Sequence, residues 1–202
     1  NGKKFMSAFN SKSGATIRTG LLKDNSIEAA SGTIDAMLNY LIAGEEYVNH
    51  FDTDVDAFMG EYPELIDIGV MGACPNGLAG KCPVQCYQDG HDFKSPHMSV
   101  EDFRSIIEQS SGKVFQVALG GRGDVNKHPQ LEEIFKVCKD HGIVPNYTTS
   151  GFNLTDKEIE LTKKYCGTVA ISWYRQEQTL DAIQRFLDVG MTTNIHYVLS
   201  ND

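Results

Sequence analysis

From residue 65 onward, the sequence alternates short apolar runs with longer stretches whose apolar residues have the period of a helix. The apolar runs predict strands at 65–71, 114–119, 143–148, 168–173 and 193–199. The last three begin 25 residues apart, which is typical of compact βα units. This alternation predicts an α/β fold, with a parallel sheet and helices on its outside. Periodicity alone does not distinguish a doubly wound sheet from a barrel.

The helices between these strands have recognisable start and stop signals. Ser99 with Asp102, and Thr155 with Glu158, have the spacing of capping boxes at helix N-termini. Gly142 follows the apolar helix positions between 131 and 138, and Gly190 follows those between 180 and 187. Glycine directly after a helix is the usual C-terminal signal, so four helices are predicted in this region.

The N-terminal part of the chain has a different pattern. Strand-like runs at 3–9 and 15–22, with a polar turn between them, predict an antiparallel hairpin. An amphipathic helix is predicted at about 33–47, and the acidic stretch 45–64 is interpreted as a link. We therefore divide the chain into a small α+β appendage, residues 1–60, and a core domain, residues 61–202. If the core is a barrel, it is expected to be truncated after its fifth strand, with a C-terminal part missing.

Composition and charge exclude several classes of protein. The formal net charge is −9, and a field of that sign repels phosphate backbones, so a nucleic-acid partner is disfavoured. No apolar run reaches the length of a membrane span. The five cysteines are clustered as three plus two, unlike a secreted disulfide framework. A cytoplasmic protein with free thiols is the resulting expectation.

Three cysteines lie directly after the first strand of the core. Cys74, Cys82 and Cys86 are separated by seven and then three residues on a loop rich in glycine and proline. Three thiolates leave four-coordinate zinc one ligand short, so a zinc site would need His91 or His97 as well. Three thiolates also suit a [4Fe–4S] cluster in which one iron is free to bind another group. Unligated thiols are the third interpretation.

The second predicted strand of the core runs into a glycine-rich segment, Gly120-Gly-Arg-Gly-Asp124. Glycines allow close approach of a ligand to the backbone, although such a segment is as often a tight turn. It lacks the Gly-x-Gly-x-x-Gly spacing of dinucleotide-binding proteins, and the chain contains no Walker A motif.

Together these segments resemble the radical S-adenosylmethionine (radical SAM) superfamily. The resemblance rests on the order of the cysteine loop, the Gly-Gly-x-Gly-acid segment and Asn146-Tyr-Thr-Thr-Ser-Gly151, and it spans about residues 65–199. The cysteine spacing departs from the three-then-two pattern that is usual in the superfamily. Gln85 stands where an aromatic residue often precedes the last cysteine, and Asp124 follows one residue later than the family's usual Glu.

The resemblance implies a partial (β/α)6 barrel, a [4Fe–4S] cluster and SAM bound to the unique iron of that cluster. It implies that cluster reduction cleaves SAM to a 5′-deoxyadenosyl radical, which abstracts hydrogen from a substrate. Carried over by position, the cluster ligands are Cys74, Cys82 and Cys86. The implied SAM-binding residues are Gly120, Gly121, Arg122, Gly123, Asp124, Ser150 and Ser172, with Tyr87 as the candidate for the adenine contact.

The remaining candidate residues are two further cysteines and one arginine. Cys138 shares the apolar face of a predicted helix and Cys166 lies at a helix end, so both are expected in the core. Arg175 is a further candidate for pairing with the SAM carboxylate. The substrate is unknown, with a peptide favoured by analogy, and an external electron donor is implied. The alternatives are a zinc-stapled structural or binding module and an inactive barrel fragment.

Overall fold

The computed structural model describes residues 4–10, 16–21, 47–52, 62–79, 95–173 and 177–197. It contains a five-stranded parallel sheet whose strands follow one another in chain order. These strands are β4 Leu65–Met71, β5 Gln116–Gly121, β6 Val144–Thr149, β7 Val169–Trp173 and β8 Thr193–Tyr197. The predicted α/β fold with a parallel sheet is confirmed. The bounds of β4 match the prediction, whereas β5, β6 and β7 begin one or two residues later.

Helices connect these strands. They are the short α1 Pro75–Leu78, then α2 Val100–Ser110, α3 Leu131–Asp140, α4 Asp156–Tyr165 and α5 Glu177–Asp188. The predicted capping box at Thr155 and Glu158 is present, with both hydrogen bonds formed. At α2, the Ser99 hydroxyl accepts a hydrogen bond from the Asp102 backbone N–H at 3.0 Å. Gly142 and Gly190 both have positive φ after their helices, as their C-terminal positions predicted.

The core lies between this sheet and the helices. Val70, Val117 and Ile171 on the strands are fully buried, as are Phe135 on α3 and Phe186 on α5. Successive side chains of a strand point to opposite faces, so the residues between them face away from the helices. That second face carries Asp67, Gln116, Asn146 and other polar residues, and it lines a cleft.

The N-terminal strands form a separate antiparallel sheet in the order β2-β1-β3. β1 Lys4–Asn10 and β2 Thr16–Leu21 are the predicted hairpin. β3 Tyr47–Asp52 pairs with β1, and this strand was missed because its segment was interpreted as a link. The predicted helix at 33–47 lies outside the described residues, except for Tyr47, which begins β3. The division into residues 1–60 and 61–202 stays a prediction.

None of the described helices combines the length and the apolar character that crossing a bilayer requires.

The packing of α3 against β6 should contribute strongly to the stability of the fold. Phe135 is fully buried, and its ring lies 5.8 Å from that of Tyr147 on β6. We expect Phe135→Ala to lower the free energy of unfolding by about 3–5 kcal/mol in urea titrations, because it opens a cavity. The control is Leu180→Ala, at an exposed position of α5, which should change the free energy of unfolding by less than about 0.5 kcal/mol. Equal effects of the two substitutions would contradict this assignment of the core.

Candidate functional site

A cleft of about 550 Å³ lies along the polar face of the sheet. At the end where the strands begin, it is lined by Gln116, Asn146 and Thr168. At the carboxyl ends of the strands, it is lined by Cys74, Gly120, Gly121, Gly123, Asp124 and Ser150. In barrels of parallel strands, the carboxyl ends and their loops carry the functional groups. The structure therefore brings one predicted cluster ligand and most of the predicted SAM-binding residues to the same cleft.

Cys74 begins helix α1 at the mouth of this cleft. It is the N-cap of the helix, and its Sγ accepts a hydrogen bond from the Gly77 backbone N–H at 3.3 Å. The thiol is partly exposed and lines the cleft. The other two predicted ligands, Cys82 and Cys86, and the predicted adenine contact Tyr87 lie outside the described residues. Within the described ranges, no three His, Cys, Asp or Glu side chains are grouped to hold a metal ion.

His97 contacts Gly72, two residues before Cys74. Its Nδ1 accepts a hydrogen bond from the Gly72 backbone N–H at 3.1 Å. This bond leaves only Nε2 for the zinc-ligand role considered above. The neighbouring His128 is buried, which lowers the pKa of its imidazole, and its Nδ1 accepts a hydrogen bond from the Gln130 N–H at 3.1 Å.

Gly121, which ends β5, and Gly123, which follows it, pack against the backbone of Met71 and Cys74. Gly121 and Gly123 both have φ of +111°, a conformation that side chains rarely adopt. A Cβ on Gly121 would lie 2.5 Å from the Met71 carbonyl oxygen, and one on Gly123 would lie 2.6 Å from Cys74 Cα. The Arg122 backbone N–H donates to the Met71 carbonyl at 2.8 Å, which completes the junction. Arg122 is not among the described residues that line the cleft.

Gly120 has a different environment. A Cβ built on it meets only the Asp67 Oδ1, at 4.0 Å, and would point into the cleft. The absence of a side chain at this position therefore keeps space open for a ligand. Gly121 and Gly123 are required for the close packing of two loops.

Asp124 connects three segments of the site. Its buried carboxylate accepts hydrogen bonds from the Ser150 backbone N–H at 2.7 Å, from the Ser150 hydroxyl and from Asn76 Nδ2 at 3.2 Å. Asn76 belongs to α1, directly after Cys74, and Ser150 follows β6. The carboxylate thus joins the cysteine segment to the ends of β5 and β6. Asn76 was not predicted, because no sequence pattern marks a partner 48 residues away.

A second polar cluster closes the opposite end of the cleft. Asn146 donates from Nδ2 to Gln116 Oε1 at 2.8 Å, and its Oδ1 accepts from the Thr168 N–H at 2.8 Å. Asn146 to Thr149 lie within β6, which matches the strand predicted at 143–148 to within one residue. Only Ser150 and Gly151 follow that strand, so only these two can contribute to the loop at its carboxyl end.

Ser172 and His196 line the cleft from neighbouring strands, and they are partners in the register of β7 with β8. The polar contact to ribose that the resemblance implies for Ser172 stays a prediction. Arg175 lies outside the described residues. Asp67, which sequence reasoning missed, also lines the cleft, and the signal was present: it is the one charged residue in β4.

Cys138 and Cys166 are buried in the core, as predicted. Burial raises the pKa of the Cys138 thiol to about 12, and burial likewise raises that of Cys166 well above its ordinary value. Thiols that hold their protons so tightly are poor metal ligands near neutral pH.

Comparisons with known proteins bear on the fold. No family model matches the chain, and no curated protein matches it in sequence. Solved structures do match: Streptococcus suis SuiB bound to S-adenosylmethionine has a TM-score of 0.57 at 15% identity, over 90% of this chain. SuiB bound to the precursor peptide SuiA has a TM-score of 0.57 at 14% identity, also over 90% of this chain. Native anSMEcpe with bound AdoMet and the Cp18Cys peptide has a TM-score of 0.50 at 13% identity, over 66% of this chain.

These neighbours are radical SAM enzymes, and this chain shares their fold, as the resemblance predicted. The chain spans 42% of the length of SuiB and 42% of that of anSMEcpe.

The packing of Gly123 against Cys74 can be tested by substitution. Gly112 has positive φ too, at +72°, but no atom lies within 4 Å of a Cβ built there. Gly112→Ala should lower the free energy of unfolding by about 1–2 kcal/mol through backbone strain alone. Gly123→Ala should cost at least about 1 kcal/mol more in the same urea titration, because its methyl group collides with Cys74. An equal or smaller cost for Gly123→Ala would contradict the close contact.

Asp124→Asn replaces one acceptor oxygen by an amide that faces two hydrogen-bond donors. We expect the free energy of unfolding to fall by about 2 kcal/mol, since hydrogen bonds to a charged group are lost in a buried place. A double-mutant cycle with Ser150→Ala, followed by urea denaturation, isolates the contact. A coupling energy of at least about 0.5 kcal/mol is expected, and strictly additive effects would show that the two residues do not interact.

Proposed function

We propose that this protein is a radical SAM enzyme, which binds a [4Fe–4S] cluster on Cys74, Cys82 and Cys86 and cleaves SAM reductively. The observation that carries this proposal is the position of Cys74. It lies at the carboxyl ends of parallel strands, beside a cleft that Gly120, Gly121, Gly123 and Asp124 also line. The fold shared with SuiB, which binds SAM in its solved structure, supports the same conclusion.

The described residues fit the proposed cofactors. Cys74 has a partly exposed thiol next to an open cleft, whereas the two buried cysteines are excluded from this role. A cluster held by three thiolates keeps one iron for another ligand. When bound and reduced, it supplies the electron that breaks the carbon–sulfur bond of SAM and releases methionine and a 5′-deoxyadenosyl radical for hydrogen abstraction.

The protein's own residues have distinct proposed roles around these cofactors. Gly120 leaves space for the methionine end of SAM, and Gly121 and Gly123 fix the loop beside Cys74. Asp124 positions that loop, because its carboxylate is already occupied by Ser150 and Asn76. Ser172 presents a hydroxyl to the cleft for the ribose. Arg122 and Tyr87 remain predicted contacts.

We propose that the substrate is a peptide. SuiB has been solved with its precursor peptide SuiA, and anSMEcpe with the Cp18Cys peptide. Both share the fold of this chain, and this likeness supports the peptide class for it. The net charge of −9 disfavours nucleic acid. The reducing electron is proposed to come from an external donor, and the reaction is proposed to take place in the cytoplasm.

Anaerobic reconstitution with iron and sulfide tests the cluster. We expect a brown protein that contains one [4Fe–4S] cluster per chain by iron and sulfide analysis. Combining Cys74→Ala, Cys82→Ala and Cys86→Ala should abolish the colour, because the thiolate ligands are removed.

The matched control combines Cys138→Ala and Cys166→Ala, which removes the buried thiols. This variant should retain the full iron content when it is folded by circular dichroism. A colourless wild-type protein with one equivalent of zinc would instead identify a zinc-stapled module. Iron that is lost in the control variant but kept in the triple variant would overturn the ligand assignment.

A further inference from the structure

The polar residues of the cleft fall into two groups. One group is already hydrogen-bonded within the protein: Asp124 with Ser150 and Asn76, and Asn146 with Gln116 and Thr168. The other group consists of Asp67, Thr148, Ser172, Asn194 and His196, whose side chains have no hydrogen-bond partner in the part of the chain that the structure describes. These side chains are exposed or half-buried in the cleft, so they are available to a ligand.

Asp67 gives this second group its charge. It is the one carboxylate in the group, since the carboxylate of Asp124 is bonded within the protein. No Lys or Arg occurs among the described residues that line the cleft. A concave surface with a carboxylate and without a compensating cation favours a ligand group of positive charge.

The neighbouring strand leaves this carboxylate accessible. Asp67 on β4 lies next to Ala118 in the register with β5, and Gly120 is the next residue of β5 on the same face. The Asp67 Oδ1 is 4.0 Å from the position that a Cβ on Gly120 would occupy. A side chain at position 120 would therefore begin in van der Waals contact with the carboxylate.

We propose that Asp67 and the bare backbone of Gly120 form a subsite for a cationic group, such as an ammonium, guanidinium or sulfonium group. The proposal rests on the proposed function, because it takes this cleft to hold SAM and its substrate. Two sources could supply the cation: SAM has a sulfonium group, and a peptide substrate can carry lysine or arginine. The chemistry at Asp67 is an ion pair in both cases, and a guanidinium or ammonium group adds charge-assisted hydrogen bonds to the carboxylate.

Two pairs of ligands that differ in charge distinguish these sources. The first is SAM and S-adenosylhomocysteine, titrated anaerobically with the reconstituted protein. The second is acetyl-arginine amide and acetyl-citrulline amide, which are close in shape, titrated with and without the cluster. Isothermal titration calorimetry gives the dissociation constants for wild type, Asp67→Asn and Glu108→Gln. Glu108 is an exposed carboxylate on α2, so its substitution controls for the general loss of negative charge.

We expect wild type to bind the charged member of at least one pair about fivefold more tightly, which is the upper range for an exposed ion pair. Asp67→Asn should reduce that ratio to about one, whereas Glu108→Gln should preserve it. The pair that responds identifies the source of the cation. The proposal is overturned if wild type shows no preference in either pair, if Asp67→Asn retains the preference, or if both variants lose it equally.

The arginine pair separates this proposal from the proposed function. If the protein takes up no cluster on reconstitution but loses its preference for acetyl-arginine amide on Asp67→Asn, the subsite is upheld and the proposed function is refuted. A protein with a full cluster and SAM cleavage, but with no effect of Asp67→Asn on either pair, would have the function without the subsite.

Discussion

The close contact between Gly123 and Cys74 determines where the parts of this site can lie. Two backbones approach so closely there that even a methyl group on Gly123 would collide with Cys74. Gly121 makes a similar approach to Met71, at the end of β4. Because one glycine ends β5 and the other follows it, the carboxyl end of β5 is held against Met71 and Cys74. The cleft opens directly beside this junction, so a ligand in it lies near both segments.

Asp124 extends the junction to a third strand. Its carboxylate joins the end of β6, through Ser150, to α1, through Asn76. A buried carboxylate is costly unless it is hydrogen-bonded, and here the bonds are made to segments that precede and follow it in the chain. The rim of the cleft is thereby cross-linked by polar contacts, while its interior keeps unbonded polar side chains. This division separates residues that shape the site from residues that can bind a ligand.

Much of the fold could be predicted from local patterns. The strands β4 to β8 and the caps at Ser99 and Thr155 follow from periodicity and from short-range hydrogen bonding, which are properties of neighbouring residues. β3 was not predicted, because its sequence has weak alternation and its partner β1 is distant in the chain. The position of Cys74 beside Gly120–Asp124 was anticipated from the order of the strands, since parallel strands bring their carboxyl ends together.

The separate roles of the glycines could not be predicted. Gly120, Gly121 and Gly123 look alike in sequence, and only the contacts of each position show that the first faces the cleft and the others face backbone. The partners of Asp124 were hidden for the same reason, because they lie 26 and 48 residues away. Asp67 stands out in the sequence as a charged residue within an apolar strand. Its place in the cleft could not be predicted, because the sequence does not show which face of the sheet is open.

The most direct test of the account measures 5′-deoxyadenosine formed from SAM by the reconstituted protein with a strong reductant. Gly120→Leu is the informative comparison, because Gly120 lines the cleft and a Cβ at this position meets only the Asp67 carboxylate oxygen within 4 Å. The account predicts 5′-deoxyadenosine from wild type and little from Gly120→Leu, although both carry the same amount of iron and sulfide. Absence of product from wild type with a complete cluster, or equal product from both proteins, would contradict it.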